Sequence, residues 1–439
     1  MNIQEKNNKG YLILRSCLYI VILSIIVYYP ILQNNFLDFW DDQWVVMNKY
    51  TESGINLTNI YNILTDFYKG QYAPLNEIMY LILFSISGYT PFNFHLASLL
   101  LHIFNTCIIY IFIKKLIILS PEIEEKNYTY LPLLTAIIFV LHPFNVESVA
   151  WISASKVLVY AFFYLLAIYS YLHYLEKKNL LYYLLTLILF ICSFLGKEQA
   201  VSLPICLLLL SFSIGKNLKD KYLWYELCPF FLFAFWFGIT TIISQQINGE
   251  GVLTDNEIYP FGQCLILACY TFTEYFSKSL LPINLLYIYP FPIQVGESLP
   301  TWLFIYPIAL FVIIFSLWKY IRMWPILFGL SFFTIHILIV LHLIPMSRYA
   351  IVADRYAYLS TIGICFIIAY YTIYLYKNLG TKSKYALISF SIIYLSSIAL
   401  YSNNRSKVWH DTDSLKKEIR ELLLLRKNTQ QKNLLSTTN

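Results

Sequence analysis

Apolar runs of membrane-span length recur along the whole chain, and they constrain its fold more than any other feature. A span takes roughly 20 mainly apolar residues and can be shorter inside a bundle. Such runs lie near 11–32, 92–113, 129–144, 157–175, 179–195, 201–215, 222–244, 300–318, 324–345, 356–376 and 385–401. Hydrocarbon offers no partner to an unpaired backbone group, so runs of this length specify helices. The expected fold is an all-α polytopic membrane bundle of about 11 transmembrane helices. Composition agrees. Hydrophobic residues make up 58% and charged residues 13%, with a mean hydropathy of +0.59. Soluble domains run nearer 45–50% apolar and about 25% charged. A soluble enzyme, a disordered chain and a disulfide scaffold are excluded. So is a nucleic-acid binder, because the net charge of +6 is spread between apolar blocks and forms no patch. The run 11–32 has span length and no small-residue cleavage site, so it is read as a retained span and not a signal peptide.

Short basic loops mark the cytoplasmic side. Lys114, Lys115, Lys126, Lys177, Lys178, Lys216, Lys219, Lys221, Lys319, Arg322, Lys377, Lys382 and Lys384 fall on one side with Lys6, Lys9 and Arg15. Lys49, Lys69, Lys156, Lys197, Lys278, Arg348 and Arg355 fall on the other. The pattern is consistent only if 262–282, which carries Glu274 and Lys278 and ends at Pro282, does not cross. That segment is read as re-entrant or interfacial on the outer side. The chain then divides into a transmembrane domain over 1–402, with a long first extracytoplasmic loop over 33–91, and a short amphipathic tail over 403–439. The N-terminus lies in the cytoplasm. One conflict stays open, because the basic tail would lie outside. The abundance of Ile, Asn, Lys and Tyr over Gly and Ala is read as an AT-rich bacterial genome, hence an inner (plasma) membrane.

The eight cysteines form no CxxC pair and mostly sit inside apolar runs, where they read as small hydrophobes. The ionisable residues are more informative. Asp41 and Asp42 follow the first span between Trp40 and Trp44. Desolvation and a like-charged neighbour raise a carboxylate's pKa, which suits a general base or a metal ligand; a solvated turn between interfacial Trp anchors is the alternative. Pro74 and Pro91 break helices, so 75–88 is expected as a helix along the membrane surface. His95 and His102 share one helix face. His142, Glu147 and Lys156 lie in the second outer loop, Lys197 and Glu198 in the third, and Arg348, Asp354 and Arg355 in the last. All fall on one face of the expected topology, where ionisable groups near the membrane mark function.

This set fits glycosyl transfer from a lipid phosphate. Cations such as Lys197, Arg348 or Arg355 stabilise a leaving phosphate. A carboxylate such as Asp41 takes the proton of an acceptor hydroxyl attacking an anomeric carbon, and one direct attack inverts the centre. No Walker loop, GxGxxG, HExxH or GxSxG is present.

At these residues the chain resembles the transmembrane-and-TPR O-mannosyltransferases and their bacterial relatives, in the GT-C glycosyltransferase superfamily. The matching elements are Asp41-Asp42, Tyr72 to Leu75, Phe94-His95, Leu100 to His102, and His142-Pro143 with Glu147 and Trp151 to Ser153. Lys197-Glu198, Tyr275 to Pro282 and Ala353 to Leu359 follow in order. The resemblance implies a bundle of eleven to thirteen spans, a polyprenyl- or dolichyl-phosphate sugar donor, and a catalytic Asp in the first outer loop. Asp41 is then the base and Asp42 its neighbour. Lys197, Arg348 and Arg355 are expected at the donor phosphate, and Tyr72, His95, His142, Glu147, Lys156, Glu198 and Tyr356 at the substrates. The TPR array would begin near Arg405 to Trp409; one amphipathic helix over about 413–427 is expected there instead. An Arg and an Asp common after Trp-Ile-Ser are replaced by Ser155 and Val157, with Lys156 between. The acceptor, whether protein, lipid or glycan, stays open. So does a divalent cation, for which Asp41 and Asp42 with Glu147 or His142 are the candidate ligands. The competing readings are a transporter or lipid flippase, against which no repeat or mid-span charge is seen, and a non-catalytic scaffold.

Overall fold

The computed structural model describes residues 3–247, 259–343 and 350–436, and these form helices joined by turns. The main helices are α1 (Ile3–Tyr28), α2 (Leu57–Thr65), α3 (Pro74–Ser87), α4 (Pro91–Leu119), α5 (Leu131–Leu141), α6 (Val146–Ala150), α7 (Lys156–Lys177) and α8 (Leu180–Gly196). They continue with α9 (Leu203–Ser213), α10 (Lys221–Ile247), α11 (Phe261–Leu280), α12 (Ile305–Ser316), α13 (Trp324–Ile337), α14 (Thr361–Asn378), α15 (Thr381–Val408) and α16 (Thr412–Ser436). Extended pairing among the described residues is limited to two isolated bridges, Tyr68 with Gln71 and Tyr289 with Val352.

Proline sets several helix starts. α3, α4, α5, α9 and α13 carry it in their first two positions. There its fixed φ is already helical and its missing N–H has no partner to lose. α3 runs where the surface helix was expected, and it ends at Gly88 with φ +59°, a conformation most side chains resist.

Five stretches are long and apolar enough to cross a bilayer: Gly10–Gln33, Pro91–Leu119, Ile152–Lys177, Lys221–Gln245 and Thr381–Val408. The chain is an integral membrane protein. A sixth span counts if α5 and Pro143–Ala150 are one unit, bent by 55° at His142. The expected spans at 179–195, 201–215, 300–318 and 324–345 fall on shorter apolar helices, and 356–376 falls on α14. The helices part at Lys197, between the runs expected at 179–195 and 201–215, and the run expected at 129–144 is cut at His142-Pro143. α11 is helical over the segment read as re-entrant or interfacial, and it is not among the helices apolar enough to cross.

Lipid tails are as apolar as leucine, so helices in a bilayer associate through close packing and hydrogen bonds. The closest approaches fall at glycine. A Cβ on Gly329 of α13 would lie 2.6 Å from the Gly363 carbonyl oxygen of α14. A Cβ on Gly196 would lie 2.9 Å from the Tyr160 nitrogen of α7. Ser193 Oγ donates to Tyr160 O at 2.9 Å beside that contact, and the Tyr171 and Ser211 hydroxyls meet at 2.8 Å between α7 and α9.

The tail meets the first long loop at one end of the bundle. Asn35 N–H donates to His410 O at 2.8 Å, and Asp38 N–H to Thr412 Oγ1 at 2.8 Å. Lys416 Nζ sits 3.9 Å from the Phe39 ring centroid. Trp409 is fully buried and stacks on Trp151 at 5.8 Å. The end of α15 therefore lies on the same side as Asp41 and Asp42.

Candidate functional site

Asp41 and Asp42 open a single helical turn just after the first span. Asp42 is buried, and its carboxylate accepts the Leu37 N–H at 3.0 Å, the Ser153 N–H at 3.1 Å and the Ser153 hydroxyl. Burial pushes its pKa up, while these hydrogen bonds oppose the shift. Asp42 thus ties the first loop to the Trp151-Ile152-Ser153 turn. Asp41 is half-exposed, and among the described residues its carboxylate accepts no hydrogen bond. It lies close enough to Arg355 to act on that charge.

Arg355 is the centre of the cluster. Its Nη1 donates to Glu147 Oε1 at 2.5 Å and its backbone N–H to Oε2 at 2.8 Å. The guanidinium lies 5.2 Å from the Trp151 ring centroid and 4.9 Å from that of Tyr356. Partial burial works against its charge, but Glu147, Tyr356 and Asp41 hold it protonated. Its side chain keeps 26% exposure, whereas Glu147 keeps 5%. The arginine is anchored but not closed off.

Two lysines reach the same place from separate helices. Lys197, at the end of α8, is buried and lies 5.4 Å from the Tyr356 ring centroid, 3.3 Å from Glu198 Oε1. Burial pushes Glu198 up, but Lys197 and Lys156 outweigh it and hold the carboxyl at about 2. Lys156, at the start of α7, donates to Gln71 Oε1 at 2.6 Å and is close enough to feel Lys197, Glu198, Tyr356 and Arg355. Lys156, Lys197 and Arg355 therefore surround Tyr356, with Asp41, Glu147 and Glu198 as counter-charges. Such a group can hold an anion beside a free carboxylate.

The other expected residues sit elsewhere or serve the fold. Tyr72 donates its hydroxyl to Leu64 O at 2.8 Å and packs on Phe67 and Phe194. His95 is buried within α4. His142 accepts the Phe144 N–H at Nδ1 and meets Ser279 O at 3.0 Å through Nε2, so both ring nitrogens are taken at the bend between α5 and α6. Arg348 lies outside the described residues. Among the described residues, no three His, Cys, Asp or Glu side chains are grouped to hold a metal ion. The eight cysteines are free thiols.

Three neighbours were not singled out from the sequence. Arg405, in the last turn of α15, pairs with Asp354 at 2.9 Å and donates to Leu285 O at 2.8 Å. Tyr289 donates its hydroxyl to the same carboxylate at 2.9 Å, so Asp354 is locked behind Arg355. Glu77, on α3, accepts from Asn48 Nδ2 at 3.1 Å and lines a small cavity of about 30 Å³ with Asp66, Gln71 and Lys156. Burial pushes its carboxyl up to about 7.

The fold and this cluster define an integral membrane protein with a charged, partly open site at one end of its helical bundle. Part of the chain is 27% identical to the human Protein O-mannosyl-transferase TMTC1, over 228 residues. That match takes in 47% of this chain and 24% of the relative, so the chain spans about a quarter of the curated protein it resembles. No known family profile matches the chain. The similarity supports a distant relationship to membrane glycosyltransferases.

Proposed function

We propose that the protein is a GT-C-type glycosyltransferase that moves a sugar from a polyprenyl-phosphate donor to an acceptor hydroxyl at the extracytoplasmic face. The chain crosses the membrane about eleven times, with its N-terminus in the cytoplasm and its tail outside. The observation that carries the reading is the position of Asp41: a carboxylate that accepts no hydrogen bond among the described residues and lies close to Arg355, which clusters with Lys197 and Lys156. Arg355, Lys197 and, outside the described residues, Arg348 bind the donor phosphate. Their charge grows more valuable as the phosphate leaves, because the negative charge on its bridging oxygen increases in the transition state. Asp41 accepts the proton of the incoming hydroxyl, and attack from the opposite side of the sugar inverts the anomeric centre. Glu147 holds Arg355 in place by two contacts. Tyr356 presents an aromatic face between the cations. Asp42 fixes the turn that carries Asp41. The likeness to a mannosyltransferase supports the reaction class.

The test is purified protein in liposomes supplied with a lipid-linked sugar and candidate acceptors. Transfer that depends on the lipid-linked donor supports the proposal. Movement of a solute or lipid across the bilayer with no sugar transferred overturns it.

A further inference from the structure

At the end of the bundle far from Asp41, α14 and α15 run antiparallel, joined by the short Leu379-Gly380 turn. Despite that tight connection they leave an open groove of about 390 Å³ between the second half of α14 and the first half of α15. Ile373, Leu387, Ile388, Ile392 and Leu395 form its walls. Ile392 is 58% exposed, on a helix otherwise of membrane-span length and hydropathy. In a bilayer such a gap is filled by hydrocarbon, because water there would meet almost no polar partner.

The rim has the opposite character. Lys126 and Lys377 close its mouth together with Asn127, Thr129 and Tyr130. Lys377 Nζ donates to Asn127 Oδ1 at 3.0 Å and lies 4.9 Å from the Tyr128 ring centroid, which positions the ammonium over the groove mouth. Lys384, on the same hairpin, lies 5.3 Å from the centroid of Tyr376. Glu122, Glu124 and Glu125 belong to the neighbouring loop, but none lines the groove.

We propose that this groove binds an anionic phospholipid, its acyl chain against the isoleucine and leucine walls and its phosphate between Lys126 and Lys377. Basic pockets between membrane helices recognise lipid headgroups in this way, each lysine adding to the attraction for a negative leaflet. The site is separate from the charged cluster at the other end and does not depend on the reaction proposed there.

The full chain, delipidated in detergent, is titrated with phosphatidylglycerol and with phosphatidylcholine and read by native mass spectrometry. Phosphatidylglycerol is expected to bind about tenfold tighter or better. The double variant Lys126→Gln with Lys377→Gln abolishes that preference, and Ser391→Trp, which fills the groove, weakens both lipids. Equal binding of the two lipids by the wild type overturns the proposal. So does unchanged binding in Ser391→Trp, or displacement of phosphatidylglycerol by millimolar inorganic phosphate, which would assign the lysines to a free anion. Variants are compared only where they remain monodisperse, and the groove-filling and rim variants test the proposal separately.

Discussion

Glu147 grips Arg355 twice, through Nη1 at 2.5 Å and through the arginine's own backbone N–H at 2.8 Å. The turn that carries Glu147 therefore positions both the backbone and the side chain of Arg355. Two residues acting as one unit should couple. Glu147→Gln and Arg355→Lys are each expected to lower sugar transfer, with the double variant scarcely worse than either. A double-mutant cycle on thermal unfolding should give about 1–3 kcal/mol of coupling. Additive effects would show that the contact is incidental.

Asp41 and Asp42 are neighbours with opposite jobs in the fold. Asp42→Asn puts an amide where Leu37 N–H and two Ser153 donors need an acceptor, and is expected to cost about 1–3 kcal/mol of stability. Asp41→Asn removes no hydrogen bond among the described residues and should leave the unfolding midpoint within about 0.5 kcal/mol of wild type. Thermal unfolding of the two variants in the same detergent separates them.

Glu77 should give stability a pH slope of its own. Its folded pKa is raised from 4.5 to about 7, so the folded state holds the proton more tightly than the unfolded state. Its contribution is full below pH 4.5 and is lost as pH rises through 7. Glu77→Gln should flatten the unfolding midpoint against pH across that window. An unchanged slope would assign the effect to other groups.

Gly363 faces the backbone of α13 with no room for a side chain. Gly363→Ala is expected to destabilise the protein by about 1–3 kcal/mol through overpacking, although alanine favours helix elsewhere. A midpoint equal to wild type or higher would show that α13 and α14 separate freely.

The convergence of Asp41, Glu147, Lys156, Lys197 and Arg355 was legible because each sits at the end of an apolar run, and one topology puts all those ends on one side. Spacing could not tell Asp41 from Asp42: adjacent residues differ only in which one turns toward Leu37 and Ser153. His142 read as a candidate ligand because a histidine beside proline looks the same whether it faces a cavity or, as here, backbone groups. Arg405 passed unnoticed because a basic residue at the end of a span ordinarily snorkels to the interface; its partner Asp354 is 51 residues away. Helix lengths were the weakest reading. The span expected over 129–144 runs past His142-Pro143, while the backbone bends there by 55°.

The most direct test of the proposed chemistry is single-turnover sugar transfer from a polyprenyl-phosphate donor by wild type and Asp41→Asn, at matched protein levels in liposomes. Loss of the base should slow the transfer step by about 10²-fold or more while the donor still binds at Arg355 and Lys197. Transfer by Asp41→Asn at the wild-type rate would contradict the account.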